Sequence, residues 1–245
     1  LDMGFTPQIE KILRAIPRER QTMLFSASIP REIMELASKY MKLPVSVEIA
    51  PSGTAAEQVT QELFIVRKDA KMKLLGRILA QYHGPILLFS RTKHNARKIT
   101  RANRDMGHDS AEIHANRSME QRREALKGFK SGRYRELVAT DIAARGIDVT
   151  GIELVINYDL PDDAQNYVHR IGRTGRAGQK GHAISFATPE QKSDVRDIEK
   201  IIRTSLPIAK HTEFSQEQFD QFAPKPQDKH SKFNYRNRHS GFRKF

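Results

Sequence analysis

The chain has 245 residues, room for one or two domains with a sizeable core. Hydrophobic residues make up 38% and charged residues 29%, with no apolar run near the ~18 residues that a bilayer span needs, so a helical membrane protein is excluded. Cysteine is absent, which excludes disulfides, thiolate nucleophiles and cysteine-held zinc, and Lys+Arg exceed Asp+Glu by 42 to 29, a net +13 that points to a polyanionic partner, nucleic acid first. No secretory signal opens the chain, and a cytoplasmic location is expected. The text at Leu1 reads as the middle of an amphipathic segment, so a piece or a processed product of a longer protein is expected.

Residues 1–50 read as a unit of their own. A helix over Pro7 to Ile16, a strand over Thr22 to Phe25, a helix over Arg31 to Lys42 and a strand over Val45 to Ile49 supply two strands at most. Two strands are too few for a stable parallel sheet, so this unit reads as the C-terminal end of a larger first domain. Residues 51–57, with Pro51, Ser52 and Gly53, read as a linker.

From residue 58 to 208 strands alternate with helices. Glu62 to Val66 reads as a strand and Asp69 to Tyr82 as a helix with Leu75, Ile78, Leu79 and Tyr82 on one face. Pro85 to Phe89 follows as a buried strand, Thr92 to Met106 as a helix and Ser110 to Ile113 as a short strand. Ser118 to Lys130 is a helix whose Ser118 and Gln121 have capping-box spacing, ended by Gly132. Leu137 to Ala139 and Leu154 to Tyr158 are strands, Asp163 to Arg170 a short helix, and Ala183 to Ala187 the next strand. Thr188, Pro189 and Gln191 start the last helix, with Val195, Ile198, Ile201 and Ile202 toward the core. The alternation predicts an α/β, doubly wound, mostly parallel sheet, with ligands gathered at the carboxyl ends of its strands.

Residues 209–245 read as a basic, disordered tail. From 224 to 245 seven Lys/Arg face Asp228 alone, a net +6. Phe233, Tyr235, Phe242 and Phe245 interleave with these cations, a pairing of stacking faces and charges that suits single-stranded RNA.

Two loops carry chemistry. The run from Ala139 to Asp148 places a hydroxyl, two carboxylates, an arginine and a glycine behind a strand. The bland alternative is a plain connection with Asp141 as a cap and Gly146 as a turn. The run from His169 to Gly178 places Arg170, Arg173 and Arg176 among three glycines. Clustered guanidinium groups repel, so ordering them calls for an anion, with phosphate the natural candidate.

These residues resemble the C-terminal part of DEAD-box RNA helicases over nearly the whole chain. Ser26-Ala27-Ser28 resembles the family's Ser-Ala-Thr motif, Leu88 to Thr92 its motif IV, Ala139 to Asp148 motif V and His169 to Arg176 motif VI, while Leu1 to Phe5 resembles the stretch after the DEAD tetrapeptide. The resemblance implies two RecA-like domains that close over ATP and bend single-stranded RNA, with residues 58–208 as the second. On that basis Arg173 and Arg176 are expected as arginine fingers on the γ-phosphate, and Gly146 and Asp148 at the nucleotide, Asp148 on its ribose. Arg91, Thr92, Arg122, Thr140 and Arg145 are expected on the RNA. His169, Ser26 and Ser28 are expected to couple the ATP and RNA sites.

Departures from the family are Ser28 for Thr, Met119 for the Gln before Arg122, and Ala115 for the Gly after His114. No G-x-x-x-x-G-K-[ST] loop and no Asp-Glu-Ala-Asp occurs here, so magnesium is expected to be held mainly by the missing N-terminal RecA-like domain. The chain alone is then expected neither to bind ATP tightly nor to turn it over. The expected function is a share in ATP-dependent local unwinding of RNA. A non-enzymatic RNA-binding protein is the alternative, and a DNA helicase arm a lesser one.

Overall fold

The computed structural model describes residues 5–26, 31–47, 59–144, 147, 149–176 and 180–209, with backbone only at 31 and 32. They fall into two compact units, divided between residues 57 and 58. In the first unit, helices α1 (Thr6–Ala15) and α2 (Arg31–Tyr40) are joined by the pair between Lys39 Nζ and Glu10 Oε1 at 2.7 Å. Neither Thr22–Phe25 nor the described part of Val45–Ile49 is a strand, because a strand needs a ladder and these stretches have no paired neighbour among the described residues. Met23, Phe25, Leu43, Val45 and Val47 stand more than half exposed.

The second unit is built on six strands: β1 (Val59–Ile65), β2 (Ile86–Phe89), β3 (Ser110–Ile113), β4 (Glu136–Ala139), β5 (Leu154–Asn157) and β6 (Gly181–Ala187). They form one sheet in the order β1-β6-β5-β2-β4-β3, with every pairing parallel. Helices α3 (Lys71–Leu79), α4 (Lys93–Asp105), α5 (Met119–Lys130), α6 (Asp141–Ala144), α7 (Ala164–Ile171) and α8 (Lys192–Ile202) complete it. Central strands buried along their whole length explain the unbroken apolar runs Ile86 to Phe89 and Leu154 to Ile156.

Helices α3 and α4 cover one sheet face: Leu74, Leu75, Ile78, Leu79, Ala96 and Ile99 share a core with Phe64, Leu88, Val138, Ile156 and Phe186. Right-handed crossovers in the reverse direction, β3 to β4 and β5 to β6, place α5 and α7 on the other face. Local chemistry sets the helix starts. Thr92 caps α4 by accepting the Asn95 N–H at 3.1 Å, Ser118 and Gln121 close a reciprocal capping box on α5, and Asp163 caps α7 by accepting the Gln165 N–H at 2.9 Å. Gly132, at φ +77°, turns the chain out of α5.

Three expectations are corrected. Ile201 is not a core residue but 37% exposed, because it lies about 120° around α8 from Val195 and about 100° from Ile202. Tyr82 lies beyond the end of α3 and is only half-buried, while Leu74 takes a place on the apolar face. The loop after β4 contains a helical turn, α6, nucleated by the Thr140 carbonyl, which accepts from the Ala143 and Ala144 N–H groups at 3.0 and 2.9 Å. After α8 the chain returns to β1. Leu63 donates to the Pro207 carbonyl and accepts from the Ala209 N–H, both at 2.8 Å.

Candidate nucleic-acid and nucleotide interface

The candidate residues separate into two groups, one at the carboxyl ends of the strands and one in the loop after α7. At the carboxyl ends of β2, β4 and β5 lie Arg91, Thr92 and Thr140, with Arg122 on the first turn of α5, which follows β3. Thr92 is exposed at the tip of α4, and Thr140 is half-buried with its N–H donating to the Ile113 carbonyl at 3.2 Å. Arg122 is half-buried, its Nη1 3.7 Å from the Met119 sulfur, a weak acceptor that leaves the cation's charge in place. Arg91 is exposed and anchored: its Nη2 donates to the Leu160 carbonyl at 3.3 Å and its Nε lies 3.1 Å from Asp162 Oδ1.

Asp159, just past β5, organises this end. Its carboxylate accepts from the Asn95 amide at 2.9 Å, the Arg91 backbone N–H at 3.1 Å and the Ser90 hydroxyl at 3.2 Å, and it lies 3.4 Å from the ammonium of buried Lys71. Lys71 also donates to the Tyr158 carbonyl at 2.8 Å, and burial pulls its pKa down. Burial pushes the Asp159 carboxyl up, but Lys71, the Arg91 N–H and Asn95 outweigh that and hold it below the usual carboxylate value. Its folded pKa lies below its unfolded one, so the stabilisation is complete above about pH 4 and is lost as pH falls through the folded value. Asp159→Asn is therefore expected to cost about 2 kcal/mol at pH 7, with its melting temperature converging on wild type below pH 4; melts from pH 3 to 7 read this directly.

Arg170 ties the two groups together. It is 1% exposed, and its guanidinium forms a bidentate pair with Asp141, Nε to Oδ1 at 2.5 Å and Nη2 to Oδ2 at 2.6 Å. Its Nη1 donates to the Asp159 carbonyl at 2.6 Å and Asn157 Oδ1 at 3.1 Å, and the group stacks over Phe89. The expectation that all three arginines of this run need an external anion is thereby corrected: Asp141 is the anion for Arg170, because the sheet order brings the end of β4 beside α7. Asp141 is this partner and not merely a loop cap.

Arg173 and Arg176 lie in the loop directly after α7, the Arg173 N–H donating to the Arg170 carbonyl at 3.1 Å. This is the amino-end side of β5 and β6, not the carboxyl end that a doubly wound sheet predicts. Thr174 Oγ1 donates to the Ile152 carbonyl at 2.6 Å, and a Cβ on Gly181 would sit 2.5 Å from the Gly175 nitrogen, so this loop packs against the start of β6. Arg173 Nη1 donates to the Ile147 carbonyl at 2.8 Å and Arg176 Nε to the Gly172 carbonyl at 2.8 Å; both side chains are half-buried. Backbone carbonyls thus aim the two guanidinium groups. His169 is exposed on the last turn of α7, unlike a packed structural histidine. Ser26 is exposed in the first unit. Ser28, Arg145, Gly146 and Asp148 lie outside the described residues, as does the tail from 210.

Sequence reasoning missed Asp159, Lys71, Asn95 and the Asp141 partnership. Glu136 was also missed: it is buried at the start of β4, accepting from Asn103 at 2.6 Å and Arg135 at 2.7 Å, and burial raises its pKa against the pull of His108 and Arg135.

A six-stranded parallel sheet with these loops defines the RecA-like C-terminal domain of a helicase, and residues 70–178 match the family model described as the helicase conserved C-terminal domain. The chain is 44% identical over 203 residues to the ATP-dependent RNA helicase DbpA of Bacillus subtilis, covering 82% of this chain and 42% of the relative. It is similar in structure to Dbp5 of S. cerevisiae bound to RNA and ADP BeF3 (TM-score 0.73, 29% identity, 84% of this chain and 56% of that one). It is also similar to the E. coli DEAD-box protein SrmB bound to regulator of ribonuclease activity A (TM-score 0.60, 30% identity, 63% of this chain and 92% of that one). The chain belongs to the DEAD-box family of ATP-dependent RNA helicases, whose C-terminal domain it carries. It spans less than half the length of the curated relatives it matches. No helix among the described residues is long and apolar enough to cross a membrane.

Proposed function

We propose that this chain forms part of an ATP-dependent RNA helicase that couples ATP hydrolysis to RNA binding and local duplex unwinding. The observation that carries the reading is α7 itself. One short helix is fixed on its last turn, through buried Arg170 and Asp141, to the loop of Thr140, and leads directly into the loop of Arg173 and Arg176. A displacement of the arginines is thereby transmitted to the RNA-facing loops through a rigid element.

In this reading Arg173 and Arg176 stabilise the charge of phosphoryl transfer, Gly146 and Asp148 hold the nucleotide, and His169, Ser26 and Ser28 couple the sites. Arg91, Thr92, Arg122, Thr140 and Arg145 hold the RNA backbone. Residues 1–50 form the end of a first RecA-like domain, a reading supported by the apolar side chains that stand exposed there. That domain supplies the phosphate loop and the magnesium ligands. No group of His, Asp or Glu able to hold a metal ion occurs among the described residues, so none of them is assigned that task.

Fluorescence anisotropy of the full chain with single-stranded RNA and DNA of one sequence tests the RNA half. RNA is expected to bind more tightly, because contacts to the 2′-hydroxyl are available, and Arg122→Ala with Thr140→Val is expected to weaken it about tenfold. Equal binding of both strands, or an unaffected double variant, would remove these residues from the RNA surface.

A further inference from the structure

The positive charge of the folded body is concentrated in one layer. Residues 71–105 hold nine Lys/Arg against Asp105 alone, a net +8, whereas all of residues 1–223 carry +7, so the rest of the body sums to −1. That segment supplies α3 and α4, the two helices on one face of the sheet. Lys73 and Arg77 are exposed on α3, and His94, Arg97, Lys98 and Arg101 are exposed on α4.

The polar side chains exposed on α4 form a stripe. The helix buries Ala96, Ile99, Thr100 and Asn103, and at 100° per residue His94, Arg97, Lys98 and Arg101 centre on the side opposite. Arg97 and Arg101, like charges one turn apart, gain no support from each other, and the first turn has no acidic residue to meet the helix dipole. Such a helix is stabilised by an anion laid along it. The stripe spans about 10 Å and starts beside Thr92, at the strand ends proposed to hold RNA, then runs away from them. It contains no Phe, Tyr or Trp, so apart from the His94 ring at its start it offers charge for a phosphate backbone more than platforms for stacking unpaired bases.

We propose that the outer face of α4, with Arg97, Lys98 and Arg101 at its centre, binds the sugar-phosphate backbone of duplex RNA flanking the single-stranded segment at the strand ends. A paired helix exposes backbone and hides its bases, which is what a stripe of charge centred on Arg97, Lys98 and Arg101 recognises. The proposal rests on the RNA reading above and extends it to a second, independent contact.

The test compares a short single-stranded RNA with the same segment joined to a hairpin stem, both bound to the full chain. Wild type is expected to prefer the stem-bearing RNA. The triple variant Arg97→Gln, Lys98→Gln, Arg101→Gln is expected to lose about tenfold on that RNA, with the slope of log affinity against log salt falling by roughly 2 to 3, while single-strand affinity stays within about twofold. A variant with equal charge loss elsewhere, Lys127→Gln, Lys130→Gln, Arg196→Gln, is expected to keep the preference. A stem that adds nothing in wild type, or equal losses in the two triple variants, overturns the α4 contact and leaves the strand-end site standing. Absence of binding to either RNA overturns the RNA reading itself.

Discussion

Asp141→Ala is expected to destabilise the second unit by about 3 to 5 kcal/mol, the cost of leaving a buried charge without its counterion. Arg170 is 1% exposed and Asp141 supplies the carboxylate of its bidentate pair, so the variant strands a guanidinium between Phe89, Asn157 and the Asp159 carbonyl. In a domain of this size that corresponds to a fall in melting temperature of roughly 10 °C. The double variant Asp141→Ala, Arg170→Met removes both charges and is expected to be more stable than Asp141→Ala alone, because an apolar side chain needs no partner there. Urea unfolding followed by circular dichroism measures all three proteins. A single variant within 1 kcal/mol of wild type would mean that water reaches Arg170.

Arg173→Ala is expected to lower ATP turnover by about 10³-fold or more in a protein that joins these residues to a first RecA-like domain, with nucleotide-free RNA affinity nearly intact. The size follows from what a positioned guanidinium contributes to the transition state, and the selectivity follows from position: Arg173 lies in the loop after α7 with its Nη1 on the Ile147 carbonyl, whereas Thr140 follows β4. Arg173→Lys keeps the charge but loses the planar fork, so it is expected to recover only a small part of the rate. Parallel loss of RNA binding and turnover would indicate that the variant disturbs the packing of the loop that holds Arg173 and Thr174, and the finger role would fall.

Much of the second unit was legible because its signals are local. The Ser118 and Gln121 box, the Thr92 and Asp163 caps and the apolar runs of β2 and β5 are each specified within a few residues, and the structure places them accordingly. Charge partners were not legible. Asp141 and Arg170 are 29 residues apart, and only the order β5-β2-β4 makes them neighbours; the same holds for Lys71 and Asp159, 88 apart. In the first unit, alternation near residues 22–25 and 45–49 resembles strand, yet strand is a property of pairs and no pairing partner is described.

The return of the chain after α8 also bears on solubility. A six-stranded open sheet has two edges. The β3 edge is only four residues long, whereas β1 offers seven, Val-Thr-Gln-Glu-Leu-Phe-Ile, rich in β-formers. Pro207 to Ala209 occupies the middle of that longer edge by pairing with Leu63. A chain cut after Arg203 would retain every strand and helix of the domain yet bare this edge, inviting another copy to add its own strand and seed aggregation. The few residues that follow the last helix thus act as a guard strand, occupying the edge that another copy would otherwise pair with.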